Sequence, residues 1–455
     1  MSDLHTATRE ELVALLLQQQ ELIAVQQAEL GELRAQVRAQ AEELAQLRGG
    51  GGGGGKAVPA WVKPNRPKRE KKARKRRSQG FARRREEPDE IQVHAAACCP
   101  ECGRQLHGGW VHRQRQVIEI VPPQVRIIAH VMVARRCGIC QRRVLPKLTS
   151  AELGVQGRRR FGVGVQALVA VLHGRYRMPL REVRRLLAEG SGLRISDGEM
   201  VALLDGVVAA GGEELTRLEE AVRGSPVVCA DETGWRQDGK NGWLWTFATP
   251  TVRYFEYRDT RSGKVPEEVL GEDFGGVVSC DCYVGYHRLA AEKQRCWAHL
   301  LRDLQALAEA HPDRPKVGAW GKAIQALYAE ARAFPAATPL RRQRKRRALE
   351  VRLDGLVRRV AQQAQAPHRV LAQRMRSHLR EWFVFVEHPE VPSTNNLAER
   401  SLRPAVIARK ISGGTRSAKG SQTMMKVMSL FGTWAAQHRA LLPTCRDLLL
   451  TTPSA

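Results

Sequence analysis

Between Val227 and Asp281 the chain spells out a fixed order of short elements, and this order restricts its fold more than any other feature. Val227 to Asp231 (VVCAD) is a run of small and β-branched residues, the composition of a buried strand. The stretch DETGWRQDGKNG follows, with Asp238-Gly239 and Asn241-Gly242 as turn signals. Trp243 to Thr249 and Arg253 to Arg258 read as the second and third strands, VPEEVLGE as a short amphipathic helix, and GVVSCD as a fourth strand. A fifth apolar piece, QRCWAHLL, comes next. Asp231 and Asp281 therefore stand at the tips of strands one and four. Glu399 lies on a segment that opens with Asn395 and Asn396, both good N-caps, and reads as a helix.

Carboxylates converging from two strands and a helix repel one another unless a divalent cation neutralises them. Oxygen-only ligation suits Mg²⁺ or Mn²⁺ rather than zinc. Two such ions can activate a water or a 3′-hydroxyl and stabilise the leaving oxygen of a phosphodiester. Each acid also has a plain structural alternative. Strand-end aspartates often cap the next helix, and Glu399 with Arg403 has ordinary i,i+4 helix spacing. Glu232 points to the opposite face if the strand continues past Asp231, and Asp238 sits in a turn.

Three antiparallel strands, a helix and a parallel strand resemble the opening of a ribonuclease-H-like fold. The strings ADETGW, GKNGWLW, SCDCYVGY, RCWAHLLRDL and NNLAERSLRPAVIARK, in this order, resemble the insertion-sequence-66 family of DDE transposases. The resemblance extends beyond these strings to the N-terminal zipper-like segment, the cysteine pairs and the helical region. It implies an Asp-Asp-Glu metal site on Asp231, Asp281 and Glu399 that cuts element ends and joins them to target DNA. It also implies accessory proteins of the same element as partners. The ISGGTRS string after Glu399 and the glycine tract are departures.

Composition agrees with a DNA partner. The 455 residues carry a net charge of +27, a surplus suited to binding a polyanion through counterion release. With no run of 18 apolar residues and no signal peptide, a membrane partner is excluded and a bacterial cytoplasmic, nucleoid-associated location is expected. Ten cysteines in such a chain point to a reducing compartment, with some thiols on metal.

The expected organisation is multidomain α+β. Residues 1–48 repeat Leu16, Ile23, Leu30, Val37 and Leu44 every seventh position, a coiled coil for homo-oligomerisation. Residues 49–90 form a glycine tether, Gly49 to Gly55, and a basic stretch for phosphate backbone. Residues 91–150 carry Cys99-x-x-Cys102 and Cys137-x-x-Cys140 with an alternating stretch, 117–136, between them. This predicts a zinc ribbon holding one structural Zn²⁺. Residues 151–222 are a helical domain that reads either as helix-turn-helix-like or as a helical hairpin packed on the core, 223–303 the first part of the α/β core, 304–385 a helical insertion, and 386–455 the core helix bearing Glu399 with C-terminal helices.

Arg400, Arg403, Arg409, Lys410 and Arg416, with Lys419, form a basic belt for DNA beside Glu399. The ISGGTRS glycines would let backbone amides approach a phosphate. His299, in Cys296-Trp-Ala-His299, is read as a site-adjacent residue orienting phosphate or water, with a hydrogen-bonded core histidine as the alternative. Two rival functions keep parts of this picture: a metal-dependent nuclease without strand transfer, and a zinc-ribbon DNA-binding regulator without catalysis.

Overall fold

The structure, a computed structural model, describes residues 87–451 apart from 113, 119–122 and 158. The coiled coil read over 1–48 and nearly all of the 49–90 linker lie outside the described residues. The chain divides after Ile118 into two units.

In the first unit Cys99 opens a tight turn. Its amide donates to the carbonyl of Arg104, and the amide of Gly103 donates back to the carbonyl of Cys99. Gly103 takes φ +70°, a conformation that glycine adopts without strain.

The second unit begins with the same turn written again. Cys137 N–H donates to Arg142 and Gln141 N–H to Cys137, between the two-residue strands β1 (Arg135–Arg136) and β2 (Arg143–Val144), which pair antiparallel. Among the described residues of 117–136, the expected strands are otherwise not formed. Residues 123–134 have no regular structure, and Ile127 and Val131 are 93% and 82% exposed. Alternating apolar residues become a strand only where a neighbour takes up the backbone ladder and covers one face. Among the described residues nothing does so here.

Helices α1 (Ser150–Leu153), α2 (Val163–Gly174), α3 (Leu180–Ser191), α4 (Asp197–Ala210) and α5 (Gly212–Arg223) follow. Gly192, at φ +69°, ends α3, and the Ser196 hydroxyl caps α4 by accepting from Glu199 N–H. The exposed first turn of α4 carries Asp197 and Glu199, so a duplex approaching it as a recognition helix would meet acids. Its inner side is core. Leu203 and Val207 pack with Val169 and Ala170 of α2 and with Leu430, Phe431 and Trp434 from far along the chain. Each fully buried aliphatic side chain of this kind contributes about 1.5–3 kcal/mol.

The sheet has five strands in the order β5-β4-β3-β6-β7. β3 (Val227–Gln237), β4 (Lys240–Ala248) and β5 (Arg253–Arg258) form an antiparallel meander. After α6 (Lys264–Leu270), β6 (Val277–Cys280) and β7 (Glu292–Arg295) run parallel to β3. The β3–β4 hairpin turns on Asp238-Gly239, both with positive φ, the two-residue turn that matches strand twist. The second turn signal, Asn241-Gly242, lies inside β4. A Cβ at Gly242 would lie 2.3 Å from the Tyr257 hydroxyl, so this glycine is spent on letting a neighbouring side chain cross.

Helices α7 (Trp297–Ala310), α8 (Pro315–Arg332), α9 (Pro339–Gln362), α10 (Arg369–Ser377) and α11 (Val384–Glu387) share one core. Trp297 stacks on Tyr328 with ring centroids 4.6 Å apart. Gln294 joins this layer to β7, donating to Trp382 O and accepting from Phe385 N–H. Then α12 (Asn396–Ser412) and α13 (Ala418–Ala436) return to the sheet, and α14 (Leu441–Thr451) packs on the core of α2 and α4. Edge strand β5 is protected by α13. Ser429 Oγ accepts from Phe255 N–H at 2.9 Å, and Thr433 Oγ1 from Arg253 N–H at 3.0 Å. One helical turn, residues i and i+4, advances about 6 Å, close to two residues along a strand. The two hydroxyls therefore meet alternate edge amides and close an edge that would otherwise template pairing with another chain.

Candidate active site

The parallel register of β3 and β6 sets the two aspartates side by side. Val227 pairs with Val277, Val228 with Val278 and Cys229 with Ser279. Continued past the last paired residue, this register brings Asp231 level with Asp281, and side chains at equal steps along parallel strands share a face. Asp281 stands just after β6, as expected. Asp231 departs from the expectation of a strand tip. β3 runs on to Gln237 because β4 keeps pairing with it, so Asp231 lies within the strand, two residues past the end of the parallel pairing.

Both carboxylates are held by local backbone. Asp231 Oδ1 accepts from Glu232 N–H at 3.0 Å, and Asp281 Oδ1 from Tyr283 N–H at 2.9 Å. Burial, with added repulsion from Glu232, Asp281 and Glu399, pushes the Asp231 carboxyl up to about 8. Asp281 and Glu399 thus bear on Asp231, and among the described residues neither aspartate has an ion pair with a protein cation. Glu232 points to the opposite face, as expected from strand alternation. It accepts from Tyr286 Oη at 2.7 Å and from Arg261 Nη2 at 2.6 Å, while the guanidinium of Arg261 lies 3.8 Å over the Tyr283 ring.

Glu399 arrives on the first turn of α12. Asn395 holds that turn in place, though not as a side-chain cap. Fully buried, it donates from Nδ2 to Ala230 O at 2.7 Å, one residue before Asp231, and its amide donates to Cys296 Sγ. Glu399 does not pair with Arg403. Its Oε1 instead lies 3.3 Å from Arg302 Nη2 and 3.6 Å from His299 Nδ1, both on α7. His299 is thus beside the third acid, and Cys296, His299 and Glu399 present ligand-type atoms within 4.8 Å of one another.

Arg295 is a further residue of the site that sequence reasoning missed. Its side chain has no exposure, and it donates to Asp281 O, to Cys280 Sγ and to Glu381. A lone arginine in a strand of polar character gives no local signal, because its partners come from β6 and from the segment near Trp382.

The basic belt divides in two. Arg403 and Arg416 are exposed and, among the described residues, carry no ion pair, and Arg400 borders a cavity. Lys410 is also exposed. Arg409 is tied down, donating to Gly234 O and Thr233 Oγ1 of β3, and Lys419 pairs with Asp205 at 2.5 Å. The ISGGTRS loop docks on the β3–β4 hairpin, where Thr415 N–H donates to Arg236 O and Asp238 N–H to Thr415 O. A Cβ at Gly414 would lie 2.1 Å from Arg236 O, and its φ is +115°. The glycine serves this close approach to backbone. Gly414→Ala is expected to destabilise the protein, by about 1–3 kcal/mol for the backbone conformation alone, read as a lowered urea midpoint.

A family model described as Transposase IS66 family matches residues 158–423, more than half of the chain. No curated protein matches it.

Proposed function

The chain belongs to the IS66 transposase family, and from that premise we propose that it cuts the DNA ends of its element and joins them to target DNA. Asp231, Asp281 and Glu399 would hold two Mg²⁺ or Mn²⁺ ions. The observation that carries this is the shared register of Asp231 and Asp281, with Glu399 close enough to add to the charge that raises Asp231. Crowded oxygen ligands, of which among the described residues only Glu399 meets a protein cation, Arg302, suit a hard divalent ion. Once bound, such ions supply activation of the attacking oxygen and stabilisation of the leaving one. The strand order supports a ribonuclease-H-like core.

The protein's own groups do the positioning. Asn395 fixes the start of α12 against β3, Arg295 fixes the Asp281 backbone, and Arg302 holds Glu399 from α7, with His299 beside it. Arg403, Lys410 and Arg416 offer charge to phosphates, contacts that position DNA without reading sequence. In the N-terminal third, Cys99, Cys102, Cys137 and Cys140 would hold one structural Zn²⁺. Their two identical turns support this, as does the thiol of each leading cysteine, held below its usual range by backbone amides near the second. Homo-oligomerisation through 1–48 and accessory proteins of the element complete the proposal. Among the described residues no helix is long and apolar enough to cross a membrane.

The deciding experiment incubates the full-length protein with Mg²⁺, labelled DNA from the flanks of its own reading frame, and a target plasmid. Joined products are expected. Nicks alone would reduce the activity to a nuclease, and no Mg²⁺-dependent cleavage would remove the enzymatic reading.

Two further results are expected. Without a cation, folded Asp231 keeps its proton up to about 8, whereas the unfolded chain releases it at an ordinary carboxylate value. Stability contributed by this group therefore falls as pH rises through that window, and a cation that needs the ionised form restores it. The rise in melting temperature caused by Mg²⁺ should grow from pH 6 to pH 8.5 and vanish in Asp231→Asn. A shift in wild type that is flat across this range would count against the site. Cys137→Ser should release one zinc per chain, measured by a chromophoric chelator, while leaving Mg²⁺ stabilisation intact.

A further inference from the structure

A cavity of about 280 Å³ opens between α12, α13, β5 and the end of α2. Its size falls near the lower end of small-ligand clefts, which span roughly 300–1,000 Å³. Three arginines border it: Arg175 after α2, Arg253 on β5 and Arg400 on α12. Its other wall is apolar and includes Phe255, Met428 and Phe431.

No acid lines this cavity, and among the described residues none of the three arginines has a carboxylate partner. The Arg253 Nη1 donates to the carbonyls of Thr249 and Val252, which orients the guanidinium without neutralising it. Burial lowers the basicity of Arg253, Cys229 offsets part of this, and Arg400 adds a smaller repulsion. Like charges gathered at one cavity without a counter-charge favour an anion. The apolar wall asks for a flat or hydrophobic body attached to that anion.

We propose that this cavity is a nucleotide subsite, in which Arg175, Arg253 and Arg400 hold a backbone phosphate and the wall of Phe255, Met428 and Phe431 holds the attached sugar and base. The occupant is one nucleotide of the bound DNA strand, so the assignment rests on the DNA-processing function proposed above. Leu397, Arg400, Ser401 and Pro404 line it from one side of α12, and Glu399 of the same helix lies roughly 100–160° around the axis from them, at about 100° per residue. A strand held there reaches the three carboxylates by passing around α12, about 10 Å across, which is roughly three steps at about 3.4 Å per step. A grip this close sets the register of the strand on the catalytic acids, a task that exposed Arg403 and Arg416 cannot do alone.

The test is a fluorescence-anisotropy titration of full-length protein, in Ca²⁺, with a labelled duplex from the flanks of its reading frame. Arg175→Ala removes a side chain with no protein partner among the described residues and should fold normally. It should weaken binding about tenfold and lower the salt slope by about one ion. Ala435→Leu narrows the cavity without changing charge and should also weaken binding. An abasic sugar at one position of the duplex, and at no other, should restore affinity to Ala435→Leu. If Arg175→Ala and Ala435→Leu bind as wild type while Arg403→Ala does not, the subsite is overturned and DNA binding survives. Failure of wild type to bind any duplex would overturn the function itself. Binding of free thymidine monophosphate that depends on Arg175, with duplex binding indifferent to it, would assign the cavity to a free nucleotide and overturn the strand assignment.

Discussion

Asp281→Asn should lower the rate of end cleavage by well over 100-fold and leave DNA affinity unchanged or improved. Loss of an outer partner at a metal site costs roughly 10–100-fold, and a residue that holds the metal should exceed that range. Asparagine keeps an oxygen that can accept from Tyr283 N–H, as Asp281 Oδ1 does, so the turn after β6 survives. What disappears is one carboxylate charge, which on the proposed assignment would repel phosphate as well as attract the cation. Arg403→Ala should show the reverse pattern, with weaker binding and a salt slope lower by about one ion. Arg409→Ala should instead loosen α12 from β3, since its guanidinium is held by Gly234 O. Cleavage rates and dissociation constants across salt concentrations separate these outcomes. Equal cleavage by wild type and Asp281→Asn would take Asp281 out of the mechanism.

The second large effect is on stability. Burial alone would raise the carboxyl of Glu381, but the His378 hydrogen bond and the charge and hydrogen bond of Arg295 hold it at about 2. Glu381→Gln would leave the Arg295 guanidinium, with no exposure, without its counter-charge. Removing one partner of a buried pair costs about 3–5 kcal/mol, and the depressed carboxyl accounts for about 3 kcal/mol of that by linkage. A group lowered on folding stabilises above its unfolded value and loses that contribution as pH falls toward its folded one. The gap in urea midpoint between wild type and Glu381→Gln should therefore be full at pH 7 and shrink between about pH 4.5 and pH 2. A gap that stays constant over that range would mean the pair contributes packing only.

The parts legible in the sequence were those written in local patterns. The meander from Val227 to Arg258 follows from alternation and a two-residue Asp-Gly turn, and the placing of Glu399 at a helix start follows from the asparagines before it. Parallel pairing of the strands that lead to Asp231 and Asp281 could be anticipated once the helix between strands three and four was recognised. Illegible parts depended on partners distant in the chain. Asn395 looked like a cap but reaches across to Ala230. Gly242 looked like half a turn but makes room for Tyr257, and Gly414 looked like a phosphate loop but lies against Arg236. Residues 117–136 have strand periodicity, yet periodicity does not supply the neighbouring ladder. Arg295 and Glu381 were invisible as a pair because neither position is informative without the other.

The position of Glu399 also has a consequence for synthesis. Helices α7 to α11 stand between β7 and α12, so the ribosome finishes both aspartates well before the glutamate. At about 5–20 residues per second the interval is on the order of ten seconds. The helices that precede the sheet wait longer still, since Leu430, Phe431 and Trp434 of α13 and Cys445 and Leu449 of α14 complete their core. A nascent or prematurely ended chain thus holds two of the three acids and an open helical layer. On the proposed assignment of the three acids such a chain would be unable to cut, and the order of translation would itself withhold the activity until the chain is finished.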